Sequence, residues 1–192
     1  EIGPGKGALT EEILKKKPKS LTLIEKDINL VKDLKIKFSE DKKIKIYNKD
    51  ILDFDLERLV KDKAIIFGNL PFNISSQILV KIIKFKNWEP KFKDLIFMFQ
   101  KELGEKILGK YKTKNYSRIS ILTSYRLQSR KEFLVSENCF FPKPKVTSVV
   151  IHFIPKDNSR HNQNNIEKLE KLTNIFFSNR RKMINKNILK IL

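Results

Sequence analysis

The sequence predicts an α/β protein organised as a doubly wound parallel sheet, and three observations carry that prediction. Short apolar runs rich in β-branched and aromatic residues alternate with segments of helical period. A glycine-rich turn, Gly3-Pro4-Gly5-Lys6-Gly7, joins the end of the first such run to a helical segment. Polar residues suited to holding a ligand then recur wherever a strand ends: Gly3, Glu25, Asp50 and Asn69. Ligands of open parallel sheets lie at the carboxyl edge of the strands. Four such residues on one edge weigh more than any single motif.

In chain order, Glu1-Ile2 reads as the end of a first strand, and both ends of the chain read as truncated. Ala8 to Lys17 follows as a helix, with Ala8, Leu9, Ile13 and Leu14 as its apolar positions. Leu21 to Ile24 is a strand that ends at Glu25. An acid placed about 20 residues past a glycine turn is positioned to accept from ribose hydroxyls. Asp27 to Phe38 is a helix with Ile28, Val31, Leu34 and Phe38 on one face, and Ile44 to Tyr47 a strand leading to Asp50. A turn-forming role for Asp50 is the competing reading. Residues 64–69 form the next strand and 74–86 its helix, and Leu95 to Phe99 a further strand.

The second half is read as a basic helix within Lys101 to Lys112 that ends near Gly109, a helix over Ser120 to Tyr125, a strand within Arg126 to Val135 and a last strand from Val146 to Phe153. Lys110, Lys112, Lys114 and Arg118 flank Tyr111 and Tyr116, cations interleaved with aromatics in a way that suits nucleic acid. A merely solvated face is the alternative. Pro142 and Pro144 bar regular structure just before the last strand and hold Phe140 and Phe141 in a stiff loop. The competing reading puts those rings in the core, more readily for Phe141 than for Phe140. Pro155 to Asn165 reads as a linker, and a helical pattern resumes at Ile166.

Bulk properties narrow the functions. The net charge is +19 over 192 residues, from 21 basic and 15 acidic side chains in residues 1–100 and 20 against 7 in the remainder. An imbalance concentrated in the second half points to a polyanionic partner. No uncharged apolar window of about 18 residues is present, so no membrane span is expected. Cys139 stands alone, which excludes an internal disulfide framework. With only His152 and His161 beside it, no metal site is expected.

The most informative stretch is Gly68-Asn69-Leu70-Pro71-Phe72-Asn73-Ile74 after the run Ala64-Ile65-Ile66-Phe67. Pro71 cannot donate a ladder hydrogen bond, so the strand stops near Leu70. The residue before proline is held extended, which aims the Asn69 amide and the Leu70 carbonyl off the strand tip. Neither is a strong acid, a base or a metal ligand. Together with the ring of Phe72 they suit a planar substrate bearing an amino group, the carbonyls accepting its hydrogens while the ring covers its face. An ordinary asparagine turn is the bland alternative.

Asn69-Leu70-Pro71-Phe72 resembles motif IV of the amino-methyltransferases, and the longer Asn-Leu-Pro-Phe-Asn-Ile-Ser-Ser is similar to the ribosomal RNA adenine dimethyltransferases. Read strictly, Gly3-x-Gly5-x-x-Ala8 also satisfies a loose dinucleotide fingerprint and leaves NAD and S-adenosylmethionine both open. As Glu1-x-Gly3-x-Gly5-x-Gly7 it resembles methyltransferase motif I. Phe140-x-Pro142-x-Pro144-Lys145-Val146 resembles the F-x-P-x-P-K-V segment of the same enzymes. Phe177-x-x-Arg180-Arg181-Lys182, with Asn187 completing the pattern, resembles the start of their small C-terminal helical domain. The resemblance runs in order along nearly the whole chain, which is identified as a member of the small-subunit ribosomal RNA adenine dimethyltransferase family. One departure is Phe72, where tyrosine is commoner.

That resemblance implies a Rossmann-like class I methyltransferase domain over residues 1–155 and the start of a small helical domain over 156–192. It implies an enzyme that dimethylates adenine N6 on two adjacent adenosines near the 3′ end of small-subunit rRNA during ribosome biogenesis. S-adenosylmethionine would be held by Gly3, Gly5, Glu25, Asp50 and Asn69, with Asn69, Leu70, Pro71 and Phe72 as the catalytic segment. The target base would lie between Phe72 and Phe140. Lys110, Lys112, Lys114, Arg118, Lys143, Lys145, Arg180, Arg181 and Lys182 would contact RNA. A cytoplasmic monomer without metal is expected. Two rivals stand beside it: the 23S rRNA methyltransferases of the macrolide-resistance type, which usually read Asn-Ile-Pro, and NAD-dependent oxidoreductases. The latter leave Asn69 to Phe72 and the basic half without a role.

Overall fold

A computed structural model describes residues 1–157 and 163–177. Its elements in chain order are α1 Ala8–Lys15, β1 Leu21–Glu25, α2 Ile28–Lys37, β2 Ile44–Asn48, α3 Leu56–Leu59, β3 Ala64–Asn69 and α4 Ser75–Ile83. There follow β4 Phe92–Gln100, α5 Lys101–Ile107, α6 Arg118–Arg126, β5 Leu127–Val135, β6 Ser148–Pro155 and α7 Gln163–Phe177. Helix starts follow side-chain chemistry where the sequence supplies it. Asp27 accepts from the amides of Asn29 and Leu30 at the head of α2, and Asp55 accepts from Arg58 at the head of α3.

Strands β1 and β2 pair in parallel, as do β3 and β4. Ile2 lies between the two pairs, bridged in parallel to Ile24 on one side and to Gly68 on the other. The Ile2 amide donates to Phe67 O at 2.8 Å, and the Gly3 amide to Ile24 O at 2.9 Å. The far half is different. β6 runs antiparallel to both β4 and β5, giving the order β3-β4-β6-β5. The sheet is therefore mixed where the sequence suggested parallel throughout. Strand composition does not encode direction, and the twelve residues between β5 and β6 hold a single 3-10 turn and no crossover helix of the kind that usually joins a parallel pair.

The core lies on one face of the larger sheet. Leu95, Phe97 and Phe99 of β4 and Ile151 and Phe153 of β6 alternate inward and are wholly buried. They share one cluster with Ile78, Leu79, Ile82 and Ile83 of α4. The rings of Phe97, Phe99 and Phe153 meet at 6.1 to 6.3 Å, two of the three contacts edge-on. Gly104 lets α5 lie directly on Val149. At the end of α4, buried Arg126 donates to the carbonyls of Ile83 at 2.6 Å and Phe85 at 2.8 Å, and it stacks on Trp88.

Three other boundaries differ from expectation. The basic helix stops at Ile107, two residues short of Gly109, and residues 110–116 fold into turns in which Thr113 donates twice to Lys110 O. A short helix, α3, stands where none was expected. Pro155 closes β6, and α7 already begins at Gln163, inside the expected linker. Ile166 of α7 is 0 % exposed within the main core, and Glu170 takes ion pairs from Lys84 at 2.6 Å and Arg118 at 2.9 Å. Among the described residues no helix is long and apolar enough to cross a membrane.

Candidate active site

The parallel half of the sheet brings the anticipated residues to one edge. Ile24, Ile2 and Gly68 are bridged neighbours, so the next residues, Glu25, Gly3 and Asn69, stand in a row across three adjacent strands. With neighbouring strands about 4.8 Å apart, that row is roughly 10 Å wide. A Cβ built on Gly3 would lie 3.8 Å from both Asn69 O and Pro71 Cδ, so the glycine turn abuts the strand tip. Gly5, with φ +57, has nothing within 4 Å of its Cβ direction and presents backbone to open space. Gly7, with φ +80, is instead packed, its Cβ direction meeting Phe38 at 2.9 Å.

Glu25 is tied into this turn. Its Oε2 accepts from the Gly5 amide at 3.2 Å, while Oε1 accepts from the amides of Lys26 and Asp27. Asp50 lies two residues beyond the end of β2, at the same edge, because Glu25 pairs with Asn48. Its Oδ1 accepts from the Leu52 amide at 2.9 Å and its Oδ2 from Lys26 Nζ at 2.7 Å. The Lys26 ammonium, followed by the Leu52 amide, holds the Asp50 carboxyl below its usual range, and Asp50 raises Lys26 in turn. Lys26 is a residue that sequence reasoning passed over. Its partner lies 24 positions away, and only its place directly after Glu25 hinted at the site.

Asn69 ends β3 with its side chain exposed, whereas Leu70 is 2 % exposed and anchors the segment in the core. Pro71 is exposed and Phe72 half-buried. The Phe72 carbonyl accepts from the hydroxyl of buried Ser75 at 3.1 Å, which fastens the segment to the head of α4. Thus Asn69 offers an amide, and Phe72 part of a ring, beside the glycine turn. A groove of about 1370 Å³ between α3, α4 and α6 involves Lys84 and Arg118 but none of Gly3, Glu25, Asp50 or Asn69.

The proline loop reaches the same edge from the antiparallel side. Ser148 of β6 pairs with Gln100 of β4, two residues beyond Met98, the partner of Asn69. The segment entering β6 therefore arrives above the strand tip. Phe140 is half-buried there, while Phe141 is 102 % exposed, so the core reading of Phe141 does not hold. Lys143 and Lys145 are exposed beside it. Glu137, also unanticipated, closes the loop by accepting from Thr147 Oγ1 at 3.2 Å. Its own amide and that hydroxyl keep its carboxyl below the ordinary range.

The other cations divide. Lys110, Lys112 and Lys114 are exposed around Tyr111, whose ring meets Tyr116 at 5.9 Å with Lys112 Nζ 5.7 Å from its centre. Arg118 is half-buried and shared with α7, its guanidinium donating to Glu170 at 2.9 Å. Arg180, Arg181, Lys182 and Asn187 lie outside the described residues.

Comparison with known proteins gives the family and the fold. The sequence profile described as "Ribosomal RNA adenine dimethylase" matches residues 1–192. The chain is 45% identical over 186 residues to "Ribosomal RNA small subunit methyltransferase A" of Pelagibacter ubique (strain HTCC1062), covering 97% of this chain and 70% of that protein. The protein of the same name from Malacoplasma penetrans (strain HF-2) is 42% identical, with 98% and 66% covered. Among solved structures, a dimethyladenosine transferase from Plasmodium falciparum superposes with a TM-score of 0.79 at 29% identity, over 97% of this chain and 65% of that one. The 23S rRNA methyltransferase ErmE superposes at 0.73 with 24% identity, over 98% and 73%, a likeness of fold. The chain thus spans about two thirds of the length of these proteins.

Proposed function

The chain belongs to the ribosomal RNA adenine dimethylase family, and on that premise we propose that its site transfers methyl groups from S-adenosylmethionine to adenine N6 on two adjacent adenosines near the 3′ end of small-subunit rRNA. The observation that carries this reading is the strand tip Asn69-Leu70-Pro71-Phe72 standing beside the glycine turn, with a Cβ on Gly3 only 3.8 Å from Asn69 O.

The residues present suit the cofactor. Gly5 presents bare backbone to open space, the Glu25 carboxylate accepts from its amide, and Asp50 stands beyond the end of the next strand over. In this reading Glu25 accepts from the ribose hydroxyls and Asp50 from the adenine amine, with Gly3, Gly5 and Asn69 lining the space between. The bound cofactor supplies an electrophilic sulfonium methyl group.

Adenine N6 is a poor nucleophile because its lone pair is delocalised into the ring. Asn69 Oδ1 and the Leu70 carbonyl accept the two amine hydrogens and favour a pyramidal nitrogen with its lone pair free. Such preorganised acceptors lower the barrier by several kcal/mol through alignment and charge stabilisation. Extruding the base from its stack costs a few kcal/mol, which Phe72 and Phe140 offset by taking its two faces. Lys110, Lys112, Lys114, Lys143, Lys145 and Arg180 to Lys182 supply phosphate contacts, so binding is salt-dependent. We assign residues 1–155 to the catalytic domain and 156–192 to the start of a helical one. The protein is taken as a cytoplasmic monomer acting on the assembling small subunit.

The small subunit is favoured over the large because the relatives at 42–45% identity carry small-subunit names, against 24% identity to the 23S enzyme. Incubating the protein with labelled S-adenosylmethionine and unmodified small or large subunits tests the choice. Label appearing as N6,N6-dimethyladenosine in the small-subunit RNA is expected. Label in the large-subunit RNA alone would reverse the assignment.

A further inference from the structure

We propose that Phe141 is a second stacking platform, which takes the base flanking the extruded adenosine while Lys143 and Lys145 hold the adjoining phosphates. The proposal rests on the RNA-methylating reading above and extends it to a residue that reading leaves idle. Phe141 is 102 % exposed, a whole ring in water. A large apolar side chain so placed forgoes the burial that stabilises a fold, and here the surrounding loop is not slack. Pro142 and Pro144 restrict it, and Glu137 ties its ends by accepting from Thr147 and lying 3.8 Å from Lys143 Nζ.

The direction of the ring follows from the backbone. Phe140 is extended, with φ −122 and ψ 148, so the side chains on either side of it alternate. Phe140 is half-buried and Phe141 exposed, as that alternation places them. The two rings therefore serve opposite sides of one loop, at the edge where β6 begins beside the Asn69 strand tip. Extrusion of one base strips its neighbour of a stacking partner. A ring presented next to the loop restores that contact without regard to sequence, since every base has a π-face. The exposed ammonium groups of Lys143 and Lys145, two and four residues on, match the phosphates of such a strand.

The test measures binding of a short single-stranded oligoadenylate RNA at several salt concentrations, with binding of S-adenosylmethionine alone as a check on folding. Phe141→Ala is expected to weaken RNA binding about tenfold, as for loss of one stacked base, and to leave the salt slope unchanged. Phe141→Leu should behave like Phe141→Ala, whereas Phe141→Trp should bind like the parent and lose indole emission as RNA is added. Replacing both Lys143 and Lys145 with alanine should lower the salt slope by about one to two. The proposal is overturned if Phe141→Ala binds within twofold of the parent, if Phe141→Leu restores binding, or if the parent does not bind this RNA. The methylation assay separates the two readings. Phe141-dependent binding without methyl transfer to either subunit leaves this platform standing and removes the reaction assigned above.

Discussion

Replacing Asn69 by alanine separates chemistry from folding, because the structure puts adjacent residues in opposite situations. The Asn69 side chain is exposed at the end of β3, so its removal should alter stability by no more than about 0.5 kcal/mol. For a chain of this size that is roughly 1–2 °C in Tm. The rate should respond differently. Asn69 Oδ1 is read as one of two acceptors for the reacting amine, and loss of one preorganised group at a reacting centre costs about 10²–10³ in rate. Leu70→Ala supplies the contrast: at 2 % exposure it should lose about 2–5 kcal/mol of stability. The assay is single-turnover methylation of undermethylated small subunits, with cofactor affinity and Tm measured on each variant. Asn69→Ala methylating at close to the parent rate while still binding S-adenosylmethionine would reduce the strand tip to a turn and remove the proposed mechanism.

Lys26→Leu should let the Asp50 carboxyl rise toward its ordinary range, since the Lys26 ammonium is the foremost cause of its depression. With Asp50 ionised as the proposed acceptor for the cofactor's adenine amine, cofactor binding should then fail at a higher pH on acidification than in the parent; calorimetric titrations across the acid range check the direction. Charge removal at Lys110, Lys112 and Lys114 together should reduce the salt slope of RNA binding by about two to three and leave cofactor affinity unchanged. Arg126→Leu strands the carbonyls of Ile83 and Phe85, at about 1–3 kcal/mol for each group left unpaired. Denaturant unfolding should register a loss on the order of 3 kcal/mol.

What could be read from the sequence was whatever is local. The run Ala64 to Asn69 coincides with β3 because a continuous apolar stretch meets a proline that cannot extend the ladder. Glu25 and Asp50 were placed at strand ends by counting alone, and the edge they share follows from parallel pairing. What escaped depends on pairs distant in sequence. Lys26 meets Asp50 across two strands, Glu137 meets Thr147 across a loop, and Glu170 gathers Lys84 and Arg118 from two helices. The last of these ties Arg118 to α7, a partner its sequence neighbours do not suggest. Phe141 is legible as a loop residue from its two prolines, and the core alternative is closed only by the exposure of its ring.

Ile2 gives the molecule a seam. The pair β1–β2, which carries Glu25 and leads to Asp50, meets the sheet that carries Asn69 through the narrow ladder around this one residue. Anything gripping Gly5 and Glu25 on one bank and Asn69 on the other acts as a rivet across that ladder. The free energy of occupancy then becomes mechanical cohesion between halves that otherwise share little β-structure. By mass action, a ligand at a hundred times its Kd would contribute about 2.7 kcal/mol to holding the banks together. The edge to which the chemistry is assigned is thus also the place where the protein is sewn shut.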